Sequence, residues 1–184
     1  LTGSVMTTVS GSTSVAAVTV EARAVNTIGA NFNVDSANQQ EIAKFRITET
    51  SSREAIYLSS FRVYNVGTAA DSDFMDVQLV DQIGNVLATA QPLSKYVSFD
   101  LSASPYLIDK GLNKDFTIRA KIVNGASRTI QFVVYDDYDV VVTGKDTNAS
   151  VLATATGNSE TTFPVEGNTA DYNRATVGSG SLIF

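Results

Sequence analysis

The sequence contains neither cysteine nor histidine, and these two absences exclude several kinds of chemistry. Without cysteine the chain forms no disulfide and presents no thiolate nucleophile, and without histidine it forms no Ser-His-Asp triad. A zinc site built from cysteine and histidine is excluded for the same reason. A phosphate-binding P-loop is also missing, because Gly178-Ser179-Gly180 is not followed by the required lysine. We therefore predict that the protein is not an enzyme.

The sequence also lacks a long apolar run and an excess of positive charge. No apolar stretch approaches the roughly 18 residues that cross a bilayer as a helix, so we predict no membrane span. The 13 Lys and Arg residues are outnumbered by 19 Asp and Glu, for a formal net charge of −6. This balance argues against nucleic acids and anionic membrane surfaces as partners, and it is compatible with divalent cations.

What the sequence does contain is typical of β structure. It has 22 Val and 20 Thr, which are β-branched and favoured on pleated surfaces. Apolar and polar residues alternate along many segments, for example from Phe116 to Ile122. Turn signals recur roughly every 8–14 residues, which is the rhythm of an antiparallel sandwich. We predict an all-β fold, a single antiparallel β-sandwich of jelly-roll or immunoglobulin-like type.

Three local details of this pattern lead to specific expectations. The alternation slips by one residue at Ser59-Ser60, which predicts a β-bulge. Val140, Val141 and Val142 form a continuous apolar run, which predicts a strand covered on both faces. Helical patterning is almost absent, although the segment from Asp35 to Lys44 leaves room for one short helical turn.

The chain divides into three regions without a linker long enough to separate independent domains. Residues 1–34 are rich in Ser, Thr and Val and predict one or two strands, residues 40–157 hold the clear strand-turn core, and residues 158–184 form a looser extension. The length of 184 residues suits one domain with a sizeable core. We predict a single domain over residues 1–184.

The two ends of the chain carry no charge. The first charged residue is Glu21 and the last is Arg174. An uncharged, β-prone end favours pairing with a sheet edge. Two interpretations stay open: each end pairs within its own fold, or one end crosses to a neighbouring subunit and completes its sheet by donor-strand complementation. The second interpretation predicts a subunit interface that includes Val5, Val9, Val15, Leu182, Ile183 and Phe184.

The spacing of strands and turns in the core resembles that of β-sandwich modules in bacterial and archaeal cell-surface proteins. It includes Ile42–Thr48, Glu54–Val63, Asp76–Gly84 and Phe116–Ile122, with turns of the Asp-x-x-Gly type. The resemblance covers about residues 42–157 and extends to S-layer-type proteins and strand-exchanging extracellular filaments. It implies a structural role at the cell surface or in the extracellular space.

Two acidic groups are the candidate cation sites. The first consists of Asp71, Asp73 and Asp76, and the second of Asp136, Asp137 and Asp139. Such clusters could ligate Ca²⁺, which takes 6–8 oxygen ligands, or they could be solvated turns between strands. In the second group, the neighbouring Tyr135 and Tyr138 could also stack on a sugar. All of these interpretations stay open from the sequence, and calcium is the one possible cofactor.

The functional hypothesis is a homopolymer. We expect a secreted structural subunit of an extracellular filament, tube or surface layer, which polymerises with copies of itself by strand complementation. The alternative is a calcium-stabilised adhesin or carbohydrate-binding module that contacts a cell-surface glycan. Asn148-Ala149-Ser150 is an N-x-S sequon and therefore a candidate glycosylation site.

Overall fold

The computed structural model describes residues 15–25, 31–156, 161–165 and 174–178. These residues contain strands and two short 3-10 turns but no α-helix, and the prediction of an all-β fold is confirmed. The 3-10 turns are Asp71–Asp73 and Asp137–Asp139. The strands are β1 (Val18–Arg23), β2 (Asn31–Phe32), β3 (Asp35–Glu49), β4 (Ile56–Asn65), β5 (Phe74–Val80), β6 (Val86–Ala90), β7 (Tyr96–Asp100), β8 (Tyr106–Ile108), β9 (Asn113–Ile122), β10 (Thr129–Val133), β11 (Val140–Gly144), β12 (Ser150–Val151), β13 (Ala153–Ala155) and β14 (Arg174–Val177).

The strands form two sheets that pack as a sandwich. Sheet 1 has the order β13-β1-β3-β9-β5-β6. Sheet 2 has the order β12-β11-β4-β10-β14-β2, and β7 and β8 also pair with β4. Two of the pairs, β1 with β13 and β14 with β2, are parallel, while the other ladders are antiparallel. Strands from the predicted terminal regions therefore lie in the same sheets as the strands of the core.

The core fills the space between the sheets because alternate side chains of each strand point inward. Along β9, Phe116, Ile118, Ala120 and Ile122 are fully buried. Aromatic rings from the two sheets meet edge to face: the centroids of Phe45 and Phe61 are 5.7 Å apart. Phe74 and Phe132 repeat this arrangement at 5.6 Å. A single cluster of buried side chains connects both sheets.

The structure tests the expected bulge, the expected doubly covered strand and the expected helical turn. The β-bulge is confirmed, because Val141 pairs with Ser60 while Val142 pairs with Leu58, which leaves Ser59 as the extra residue. The expectation of a strand covered on both faces at Val140–Val142 is wrong, since Val141 is exposed on the outer face of sheet 2. The helical turn considered between residues 35 and 44 is also wrong, since this segment belongs to β3 and pairs with β9.

Within the described ranges, no helix has the length and apolar character needed to cross a bilayer.

Candidate functional site

The first acidic group lies at the start of β5, where each carboxylate has its own protein partner. Asp73 is buried, and its Oδ2 accepts hydrogen bonds from the backbone N–H of Ala70 at 2.8 Å and from Arg128 Nη1 at 2.7 Å. Asp71 Oδ1 accepts from the backbone N–H of Lys95. Asp71 and Asp73 therefore bind separate donors of the protein, while Oδ1 of Asp73 is buried without a hydrogen-bond partner among the described residues.

Asp76, the third member, has a left-handed backbone with φ 50° and points to other partners. Its Oδ2 accepts from Lys121 Nζ at 2.9 Å, and its Oδ1 accepts from Gln91 Nε2 at 2.8 Å. The hydrogen bond from Lys121 lowers the pKa of the Asp76 carboxyl, and the bond from Gln91 lowers it further.

The second acidic group repeats the design of the first at the start of β11. Asp139 is fully buried and its Oδ1 accepts from Arg62 Nε at 2.6 Å. Its Oδ2 accepts from the backbone N–H groups of Tyr135 and Asp136. In both groups, an Asp-x-Asp turn therefore ends in a buried aspartate that binds the preceding backbone and one arginine.

These contacts bear on the predicted cation sites. In the part of the chain that the structure describes, no group of three or more His, Cys, Asp or Glu side chains could hold a metal ion. The calcium prediction for the two groups therefore has no support from the geometry. The arrangement fits the other interpretation, in which both groups are turns between strands.

Three further carboxylates organise loops: Glu49, Glu54 and Asp81, the last of which begins a predicted Asp-x-x-Gly turn. Glu54 is buried and accepts from the backbone N–H of Ala16, Asp146 and Thr147 and from Thr147 Oγ1. Burial raises the pKa of the Glu54 carboxyl, but these hydrogen bonds outweigh burial and hold the pKa below its usual value. Glu49 and Asp81 are buried and satisfied by loop N–H groups in the same way.

The outer face of sheet 1 carries several ion pairs. Arg46 binds Asp115 through two hydrogen bonds, Nε to Oδ1 at 2.6 Å and Nη2 to Oδ2 at 2.9 Å. Arg119 pairs with Glu41 at 3.2 Å on the same face. These two outward arginines are thus paired with acids of the same chain. This face is typical of a solvated surface.

The outer face of sheet 2 carries aromatic rings instead. The register of β4 and β7 places Tyr64 opposite Tyr96, with ring centroids 4.7 Å apart. Tyr135 contacts Tyr64 at 5.3 Å. The guanidinium of Arg62 lies over the ring of Tyr96 at 4.6 Å and over that of Tyr138 at 5.5 Å. We call these four tyrosines and Arg62 the tyrosine cluster.

A pocket of about 440 Å³ adjoins the tyrosine cluster. Arg62 and Tyr96 form one wall of this pocket. The remaining lining residues come from the end of β6, the following loop and β7, and they are Ala90, Gln91, Leu93, Ser94 and Ser98. The pocket therefore lies where the edges of the two sheets approach each other.

The edge of sheet 1 formed by β6 is a second candidate surface. Among the described strands, β6 pairs with β5 alone, and none of its five side chains is fully buried. The segment 82–94 around it contains no charged residue. Two large apolar side chains beside the strand are strongly exposed, Ile83 at 78% and Leu93 at 76%. An uncharged run between Asp81 and Lys95 was the sequence signal for this edge.

The predicted subunit-interface residues lie mostly outside the described residues. This applies to Val5, Val9, Leu182, Ile183 and Phe184. Val15 is described, precedes β1 and is 40% exposed. The strands nearest the ends, β1 and β14, each pair with two strands of their own chain. Strand exchange by residues 1–14 or 179–184 therefore stays a prediction.

The sequon occupies a turn between β11 and β12. Asn148 is exposed, has a left-handed backbone with φ 52°, and donates its backbone N–H to the carbonyl of Gly144. The position is accessible to modification, and glycosylation there stays a prediction.

Comparisons with known proteins identify no family. No family model matches the chain, and no curated protein matches it. Among solved structures, the chain is similar to AvmM, described as catalysing macrocyclization in alchivemycin A biosynthesis, with 8% identity, 91% of each chain covered and a TM-score of 0.35. It is also similar to a family 123 glycoside hydrolase from Clostridium perfringens, with 10% identity, 77% of this chain and 28% of that chain covered, and a TM-score of 0.32. Similarities this weak carry no inference about function.

Proposed function

We propose that this chain is a structural subunit of an extracellular filament, tube or surface layer, and that it polymerises by strand addition at the β6 edge. The observation that supports the proposal is the state of that edge, which pairs on one side among the described strands and lacks charge from residue 82 to residue 94. Natural edge strands are commonly protected by charged side chains, proline or bulges. Pro92 follows β6 and does not lie in it.

The donor strand in this proposal is an uncharged end of another copy. Residues 1–14 contain Val5 and Val9 and no charged side chain, and residues 179–184 contain Leu182, Ile183 and Phe184. A strand that pairs with β6 would cover the exposed Ile83 and Leu93. Its backbone would bond to the N–H and C=O groups on the side of β6 that no described strand occupies. Burial of three or four apolar side chains would contribute about 5–10 kcal/mol before the cost of ordering.

Such a contact has a direction, because the donor end and the acceptor edge are different surfaces. A heterologous contact of this kind generates an open polymer unless its rotation closes a ring. The extracellular location in the proposal depends on the sequence resemblance to surface modules, while the mode of assembly depends on the β6 edge.

The experiment adds one positive charge to the edge. Thr89 is exposed on β6, and Thr89→Lys should prevent assembly because a lysine on an unpaired edge opposes strand addition. Thr19→Lys is the matched control: Thr19 lies on the outer face of the same sheet, but its strand β1 is paired on both sides. Light scattering and negative-stain microscopy should show polymers for wild type and the control, and a 19.5 kDa monomer for Thr89→Lys.

Two outcomes would refute the proposal. One is a wild-type chain that stays monomeric at every concentration tested, and the other is a Thr89→Lys variant that polymerises like wild type. Separate deletions of residues 1–14 and 179–184 then identify the donor. These deletions spare β1, whose Val18 and Val20 are buried in the core, so the remaining chain keeps its own sheet. If both deleted forms still polymerise, the ends are not the donors.

A further inference from the structure

The tyrosine cluster has the ring arrangement of a ligand platform. Tyr135 and Tyr138 are the exposed members, and Tyr138 is 58% exposed. Tyr64 and Tyr96 are half-buried beneath the same surface and hold Tyr135 and Arg62 in place by ring contacts. The faces of such rings are electron-rich and attract polarised C–H groups. An exposed platform of this kind is absent from the ion-paired outer face of sheet 1 as far as the structure describes it.

The charges around the cluster disfavour an anionic ligand. The positive charge of Arg62 is paired with the buried carboxylate of Asp139. Asp136 and Asp137 belong to the same turn, and Asp136 Oδ2 accepts a hydrogen bond from the hydroxyl of Tyr138 at 2.5 Å. Asp71 accepts a hydrogen bond from the backbone N–H of Lys95, which stands between the lining residues Ser94 and Tyr96. These four carboxylates outnumber Arg62 and Lys95, and this excess repels anions.

On Tyr96 and Tyr138, the ring face that Arg62 covers is closed to a cationic ligand. A bound cation would take a position over the ring faces. Over Tyr96 and Tyr138 that position is held by the guanidinium of Arg62, at 4.6 and 5.5 Å from the two ring centroids. A ligand cation would therefore have to displace a group that is anchored to Asp139.

The adjoining pocket matches an uncharged ligand that has both apolar and hydroxyl groups. Ala90 and Leu93 supply its apolar lining. Ser94 and Ser98 supply hydroxyl groups that both donate and accept hydrogen bonds, as hydroxyl recognition requires, while both amide atoms of Gln91 are bonded to Asp76. Its volume of about 440 Å³ has room for one or two sugar rings beside the platform.

From these observations we infer that the tyrosine cluster and its pocket bind a neutral glycan chain, with pyranose rings stacked on Tyr135 and on the face of Tyr138 opposite Arg62, and with their hydroxyl groups bonded in the pocket. The platform lies on the outer face of sheet 2, but Ala90 and Leu93 of the pocket also belong to the β6 edge, so a donor strand at that edge and a glycan in the pocket would share these two residues. A polysaccharide bound by the exposed platform would attach the chain to a glycan surface.

The test is calorimetric titration of the full chain with defined hexasaccharides. The neutral probes are oligomers of glucose, mannose, xylose and N-acetylglucosamine, the anionic probe is an oligomer of galacturonic acid, and the cationic probe is an oligomer of glucosamine. We expect binding of at least one neutral probe. Tyr138→Ala and Tyr135→Ala should each weaken that binding about ten-fold, because each removes one stacking ring.

The matched control is Tyr57→Ala. Tyr57 is a half-buried tyrosine on the outer face of β4, five positions before Arg62, where it pairs with Leu107 of β8. This variant should bind like wild type. Since Tyr135 and Tyr138 are exposed and each loses one ring contact, their alanine variants should stay folded, with melting temperatures close to that of wild type. The inference is overturned if no neutral probe binds, if only a charged probe binds, or if the two cluster variants bind as tightly as the Tyr57 variant.

Discussion

Replacement of Arg62 by methionine should lower the free energy of unfolding by about 3 kcal/mol, because it leaves a buried carboxylate without its partner. Asp139 is 0% exposed, while the Arg62 side chain is 34% exposed. Removal of one partner from a fully buried pair costs about 3–5 kcal/mol. Partial exposure of Arg62 reduces this value, and the lost contacts with the rings of Tyr96 and Tyr138 add to it by about 0.5–1 kcal/mol each.

The matched control is Arg119→Met on the other sheet. Arg119 and Glu41 are 32% and 35% exposed and meet at 3.2 Å, so their pair is screened by solvent. We expect a loss below about 1 kcal/mol for this variant. A further variant that combines Arg62→Met with Asp139→Asn should recover much of the lost stability. It removes the buried charge and keeps an oxygen for the N–H groups of Tyr135 and Asp136.

Equilibrium unfolding in urea, followed by circular dichroism, measures all three variants. The reasoning is refuted if Arg62→Met loses no more stability than Arg119→Met. It is also refuted if the double variant is less stable than Arg62→Met, since the buried charge would then not be the cause.

Three other predictions concern the turns and the carboxylates. Gly67→Ala should destabilise the fold by more than about 2 kcal/mol in thermal unfolding, because its Cβ would lie 2.2 Å from the carbonyl oxygen of Thr129. The Cβ of Gly84→Ala would meet nothing within 4 Å, so this variant should lose about 1 kcal/mol of stability, because alanine is unfavourable at a φ of +97°. Equal losses would contradict this contact. The urea midpoint should be constant from pH 7 to pH 5 and fall below about pH 4.5, because carboxyls whose pKa is lowered by folding take up protons at a higher pH in the unfolded chain than in the folded chain. Among the described residues these carboxyls are Asp35, Glu49, Glu54, Asp76, Asp81, Asp100 and Asp115. A constant midpoint down to pH 3 would be inconsistent with these shifts. Chelation of calcium with millimolar EDTA should leave the melting temperature unchanged, since Asp73 and Asp139 are bound to protein donors, and a clear decrease would instead support the calcium hypothesis.

The strand pattern was predictable because it depends on local alternation. The buried residues of β9 follow the period of two without interruption, and the bulge at Ser59 is visible as a slip in that period. The error at Val141 has a physical reason: three consecutive valines fit a strand buried on both faces or a half-exposed strand equally well. Its outward position is decided by the register with β4.

The candidate surfaces were harder to predict because they depend on contacts between distant segments. Tyr138 and Tyr135 are neighbours in sequence, but Tyr64 and Tyr96 join them through the pairing of β4 with β7 and β10. The arginine partner of Asp139 is 77 residues away, and Thr147, the partner of Glu54, is 93 residues away. A single sequence does not reveal such pairs, which is why the acidic groups were compatible with cation sites.

The placement of β1 and β14 has a mechanical consequence. Each is flanked on both sides, β1 by β13 and β3, and β14 by β10 and β2. Tension along β1 or β14 would load the hydrogen bonds on both sides of the strand in shear, whereas an outermost strand can be peeled away one bond at a time. A pull along either strand would therefore meet resistance from two neighbouring strands at once.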